Sequence, residues 1–177
     1  MLAVTHTSSV TEDQIDHLGH MNVRFYGTNA HAATNVVLAG LDGWPDGPHL
    51  VHDAYTRHHR EQLLGTSLLV RSAVLAADVD GLRIHHELVP ANAEALAATF
   101  VHRVSPLDDR GERIPVPDAA VASARATVIE PLPYAAPRSV DLGTDALTTA
   151  PPLELFGSER PPARRFARCS PRRTPAR

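Results

Sequence analysis

The sequence predicts an α+β fold, and three observations carry that prediction. Residues 22–40 have helical spacing of apolar side chains and no proline. Four later segments read as β-strands joined by short turns. Of the 177 residues, 43% are hydrophobic and 21% charged, the balance of a globular chain. One long helix followed by consecutive strands leaves the sheet to wrap the helix, which is an α+β layer arrangement.

The elements follow in chain order. Residues 2–10 are short and rich in β-branched side chains, as a first strand should be. A polar turn over residues 11–20 leads into the helix. There Tyr26, Ala30, Ala33 and Val37 fall on one face, with Asn22 placed as N-cap and Gly40 at the C-terminus. Phe25, Ala32, Val36, Leu38 and Ala39 make the other faces apolar too, so the helix is expected to be buried nearly all round. The Gly/Pro-rich residues 42–48 form a loop. Strands are expected over residues 49–60, 66–77, 82–89 and 95–104. Asp78 to Gly81 turns between the second and third of these. Short connections make the sheet antiparallel. In the pairs His58/His59 and His85/His86, alternation should turn one ring of each outward. A short helix is expected over residues 118–127. Aromatics are only 5% of the chain, so aliphatic residues and alanine must build the core.

Charge divides the chain unevenly. Residues 131–177 hold 9 of the 15 prolines and eight arginines against four acids. The first 130 residues hold nine arginines against sixteen acids and all 11 histidines. The expected organisation is therefore one domain over residues 1–130 and a Pro/Arg-rich tail over 131–177. The tail is expected to be disordered, because it lacks the apolar surface to offset its ordering entropy. A net charge of -3 gives no case for nucleic acid. No run of about 18 apolar residues marks a membrane span. The first residues carry neither the basic nor the apolar region of a secretory signal, so a cytoplasmic location is expected. The one cysteine, Cys169, can neither form an internal disulfide nor hold a zinc cluster by itself.

The chemistry gathers in residues 16–26, where Asp16, His17, Gly19, His20 and Asn22 stand just ahead of the helix. A helix start presents unpaired N–H groups and about half a positive charge, suited to polarising a carbonyl and holding an oxyanion. A carboxylate beside it can serve as general base toward water or attack directly as nucleophile. Gly19 permits close backbone approach. These are parts for hydrolysing an activated ester. A serine hydrolase is disfavoured by the lack of Gly-x-Ser-x-Gly. The histidine excess raises a metal centre from His17 and His20 with His58 or His86. No His-Glu-x-x-His occurs, however, so neither metal nor cofactor is expected.

The pattern Asp16-x-x-Gly19-His20-Met21-Asn22-x-x-x-Tyr26 resembles the signature of hotdog-fold acyl-CoA thioesterases. The resemblance is to the 4-hydroxybenzoyl-CoA thioesterase type, and within it to the betainyl-CoA thioesterases. Residues 60–70 resemble the family's Glu-x-x-x-Gly-x-x-Leu-x-Val strand, and residues 81–99 its next hairpin. The resemblance spans residues 5 to 130. It implies a hotdog fold, a long central helix wrapped by an antiparallel sheet, assembled as a homodimer or homotetramer with sites at the dimer interface. It implies Asp16 as the catalytic carboxylate and the N–H near Val23 as donor to the thioester carbonyl. It makes His20 and Asn22 pocket-shaping residues, and Glu61 an acid that orients water or a histidine. Gln14 and His58 depart from the pattern, so the betainyl substrate does not carry over. The substrate implied is an acyl-CoA or acyl-carrier-protein thioester, with Gly19, Val23, Tyr26, His58 and Arg60 contacting it. Arg57 or Arg60 would meet the coenzyme A phosphates. Each residue also has a plainer role open to it: Asp16 a turn residue, Asn22 an N-cap, Tyr26 core, Glu61 a solvated strand end. The alternative to the enzyme is a non-catalytic acyl-CoA-binding module on the same scaffold.

Overall fold

The computed structural model describes residues 2–93 and 95–130; the expected tail and Glu94 lie outside the described residues. Five strands form one antiparallel sheet: β1 (Ala3–Ser9), β2 (His49–His58), β3 (Ser67–Asp78), β4 (Gly81–Pro90) and β5 (Ala98–Pro106), in the order β1-β3-β4-β5-β2. The long helix α1 (Val23–Ala39) packs on one face, touching β1, β3 and β4. A shorter helix, α2 (Asp118–Arg125), packs on β3. This is the hotdog arrangement, an α+β fold.

Local chemistry accounts for the element ends. The Asn22 side chain accepts from the Arg24 N–H at 3.1 Å, and Gly40 closes the helix with its N–H on the Val36 and Val37 carbonyls. The β3–β4 turn is held by Asp78, whose Oδ1 accepts from the Asp80 and Gly81 N–H groups. The fifth strand starts at Ala98, three residues later than its sequence suggested. The preceding residues instead serve a backbone junction, in which the Ala97 carbonyl accepts from the His59 and Arg60 N–H groups.

The core has two parts. Tyr26, Ala30 and Ala33 of α1 meet Leu68, Val70, Leu88 and Phe100. Farther along, Leu38 joins Val74, Leu82, Ile84, Val104 and the Ala120, Val121 and Ala124 face of α2. Each such large side chain contributes about 1.5–3 kcal/mol by leaving water.

Two expectations are corrected. The helix is not buried all round: Val23 and Val36 stand 66% and 50% exposed. A single sheet covers a single helix face, and these two apolar residues lie away from it. Nor does one ring of His85/His86 face water. Both are fully buried, because β4 is the central strand and each of its faces is covered. His86 points toward α1. On the other face His85 Nδ1 meets the Phe100 carbonyl at 3.1 Å, beside the Arg71–Glu87 pair at 2.8 Å. The His58/His59 expectation fares better, with His58 exposed and His59 half-buried.

Candidate active site at the start of helix α1

The loop ahead of α1 is tied back on itself. The Asp16 N–H donates to the His20 carbonyl, and the Gly19 N–H donates to the Asp16 carbonyl. Asp16 Oδ1 accepts from the Leu18 N–H at 2.8 Å and the His20 N–H at 3.4 Å. Gly19 makes the reversal at φ +84°, a conformation costly for other residues. Asp16 is therefore a turn residue, as the plainer reading had it, yet both bonds fall on Oδ1 and neither on Oδ2.

The helix start supplies one unused donor. The Asn22 side chain takes the Arg24 N–H, and the Asn22 carbonyl takes the Phe25 N–H at 3.0 Å. The Val23 N–H has no acceptor among the described residues, and Val23 is exposed. It is thus the first-turn amide left for a ligand oxygen.

A second segment, residues 60–62, is stitched to this start. The Met21 N–H donates to the Gln62 carbonyl at 2.8 Å, and the Tyr26 hydroxyl donates to the Arg60 carbonyl at 3.1 Å. Between these bonds, His20 Nε2 lies 3.1 Å from Glu61 Oε2, with the Glu61 side chain 72% exposed. Tyr26 is buried and packs edge-on against His58, ring centroids 5.0 Å apart. Burial raises the Tyr26 pKa above its ordinary value. Hydrogen bonding to the Gln62 backbone opposes this, and the Glu61 carboxylate adds to it. The phenol stays neutral and keeps its proton for Arg60.

The structure thus joins Asp16, Gly19, His20, Asn22 and Val23 on one loop and helix turn, and joins His20 and Tyr26 to Glu61, Arg60 and His58. Arg60 and Glu61 line an open depression of about 740 Å³ that continues past Leu63 and Leu64 to Pro90 and Ala91. Arg57 does not line it. Among the described residues no group of three metal-ligating side chains comes together: His20 meets Glu61, His58 meets Tyr26, and His86 meets Ser72 and Thr34.

Sequence reasoning missed Gln62. It is buried, its carbonyl holds Met21, and its Nε2 donates to the Arg60 and Glu61 carbonyls. A lone glutamine beside an exposed acid carries no periodic signal. Also missed was a buried polar chain under α1. Thr34 Oγ1 donates to the Ala30 carbonyl and lies 2.9 Å from His86 Nε2 and 3.0 Å from His102 Nδ1. His86 Nδ1 lies 2.7 Å from Ser72 Oγ, itself 2.6 Å from Thr5 Oγ1. With the Thr34 proton on Ala30, both rings donate to Thr34, and Ser72 donates to His86. Burial lowers both pKa values. For His86, well below its ordinary value, nearby His102 and His85 add to the effect. For His102, brought to about 4, His31 adds to it.

Comparison with known proteins agrees with this architecture. The family model of the thioesterase-like superfamily matches residues 10–124. No curated protein matches the chain. Among solved structures, a candidate thioesterase from Pseudomonas putida superposes with a TM-score of 0.66 at 22% identity. The match covers 81% of this chain and 98% of that one. A Thermus thermophilus thioesterase, solved with coenzyme A and zinc, has a TM-score of 0.62 at 23% identity, over 73% and 96%. A hexameric broad-specificity acyl-coenzyme A thioesterase has a TM-score of 0.59 at 8% identity, over 70% and 93%.

Proposed function

Because the chain belongs to the thioesterase-like superfamily and is a thioester hydrolase, we propose that it cleaves acyl-CoA or acyl-carrier-protein thioesters at the start of α1. The free Val23 N–H is the observation that carries this reading. The thioester carbonyl oxygen would accept from it, and the amide would stabilise the oxyanion as charge develops there. Asp16 would act through Oδ2, as general base toward water or as nucleophile forming a mixed anhydride that water then opens. The Leu18 and His20 amides hold the carboxylate in place for either route.

Around that centre, Asn22 keeps the helix start in register. His20 paired with Glu61 forms the wall that meets the leaving thiol or the attacking water. Tyr26 positions Arg60 and His58, whose side chains meet the substrate. The depression beside Arg60 and Glu61 takes the substrate's arm. Kinship with the 4-hydroxybenzoyl-CoA type rests on the motif from Asp16 to Tyr26. The catalytic unit is residues 1–130, acting in the cytoplasm as a homodimer or homotetramer. The exposed apolar residues of α1 and the place of β2 at the end of the described sheet support assembly.

The test is Asp16→Asn assayed by thiol release across short, long and aromatic acyl-CoAs. The expected outcome is a kcat about a hundred- to ten-thousand-fold lower, with an unchanged circular dichroism spectrum. A folded variant with undiminished turnover would refute the role of Asp16. A wild-type chain that binds acyl-CoA tightly without releasing thiol would favour the non-catalytic module.

A further inference from the structure

At the other end of the sheet, roughly 20 Å along β5 from its Ala98 end, a cleft of about 340 Å³ is lined by His52, Asp80, Arg103, Ser105 and Arg113. We propose that this cleft is a binding site for a phosphate-bearing anion, gripped by Arg103 and Arg113.

The site is built by a deviation in the sheet. Register between β2 and β5 runs Val51↔Val104 and then Asp53↔Arg103, which makes His52 the extra residue of a bulge. A bulge re-aims a side chain, and bulges are common beside functional sites. Here it brings His52 Nε2 to 3.0 Å from the buried Ser105 hydroxyl. Gly81 makes room for this pair: a Cβ there would stand 2.8 Å from the Val104 carbonyl oxygen and 3.1 Å from Ser105 Oγ.

The hydrogen bonds settle which nitrogen of His52 carries its proton. Ser105 Oγ spends its one proton on the Asp80 carbonyl at 2.7 Å. His52 must therefore donate from Nε2, leaving Nδ1 as an acceptor. Arg113 lies 3.5 Å from that Nδ1 and donates to it. A neutral ring is required, and it is favoured. Burial lowers the His52 pKa; Arg113 and then Arg103 lower it further, against an opposing contribution from Asp53. The chain Asp80–Ser105–His52 thus ends by holding one guanidinium on the cleft wall.

Arg103 has a like-charge neighbour across from it on β4, Arg83, and an opposite-charge one across from it on β2, Asp53. Among the described residues, Arg83, Arg103 and Arg113 form no ion pair with a carboxylate. The lining residues carry two arginines against one aspartate, a local balance of +1. Two planar forks on one small cleft suit the several oxygens of a phosphate or diphosphate.

The site does not depend on the thioester chemistry, so its test uses no thioester. Titration calorimetry of the full chain with inorganic diphosphate should show one site per chain, weakening as salt is raised. Arg113→Gln, at an exposed position, should weaken binding about tenfold, and Arg103→Gln/Arg113→Gln should abolish it. Parallel titrations with coenzyme A and with pantetheine distinguish the source. Loss of coenzyme A affinity together with diphosphate affinity in the double variant, with pantetheine unaffected, identifies a nucleotide-bearing ligand. An effect confined to diphosphate identifies a free anion. Either supports the site. Diphosphate binding that is undetectable in the wild type at millimolar concentration, or equal in the folded double variant, overturns it.

Discussion

His20 and His86 are the same side chain in opposite surroundings, and the contrast separates the working end of this molecule from its frame. His20 sits on a loop at the start of α1, partly open to solvent and 3.1 Å from an exposed carboxylate. His86 sits under the middle of the same helix, fully buried, with both ring nitrogens facing hydroxyls. At the loop, polar groups are left with capacity to spare: the Val23 N–H, Asp16 Oδ2 and the Glu61 carboxylate. In the core, the Thr5–Ser72–His86–Thr34–His102 chain is continuous, and both ring nitrogens of His86 have partners. A buried group without one costs about 1–3 kcal/mol. Spare hydrogen-bonding capacity is tolerated where water can reach it, and the chemistry resides there.

The contrast predicts a double dissociation. Asp16→Asn should abolish most turnover and leave the urea midpoint near that of the wild type, the largest effect expected. Thr34→Val should do the reverse. It keeps the shape but removes the acceptor of two imidazole N–H groups, for a loss of about 2–4 kcal/mol in urea unfolding. Its kcat should be unchanged where the protein remains folded. If Thr34→Val is as stable as the wild type, the buried chain is not part of the frame.

Stability should also depend on pH through the core. His102 is held at about 4, against about 6.5 in an unfolded chain. Above pH 6.5 neither state is protonated there, and the contribution is fully present. As pH falls from 6.5 toward 4, the unfolded chain takes up a proton that the folded chain refuses, and stability declines. The loss from this group is on the order of 3 kcal/mol, and His86 acts in the same direction. Urea unfolding at pH 7.5 and 5.0 measures it, and equal midpoints would contradict the assignment.

The smallest effect expected is at the loop's outer wall. Glu61→Gln removes the charge facing His20 while Gln62 still holds Met21. The expected loss is about tenfold in kcat/KM with stability unchanged, as suits an exposed pair. A change in stability without one in kcat/KM would make Glu61 structural.

Much of this was legible in the sequence, for identifiable reasons. The helix was readable because Tyr26, Ala30 and Ala33 repeat at helical spacing between Asn22 and Gly40. The hairpins were readable because Asp78 and Gly81 bracket a turn between apolar runs. The Asp16 loop was readable because its residues are contiguous, so their spacing survives folding. Gln62, Thr34 and the His52 bulge were not. Their partners lie as far as 68 residues away in the chain, and no local pattern records a register shift between Val51 and Asp53.

The sequence alone determined the periodicities, the caps and the charge of each segment, because these depend on near neighbours. Tertiary structure decided which histidines lose water, which amide of the helix start stays free, and which arginines meet in one cleft. Those outcomes depend on strand order and register, which bring distant residues together and exclude solvent between them.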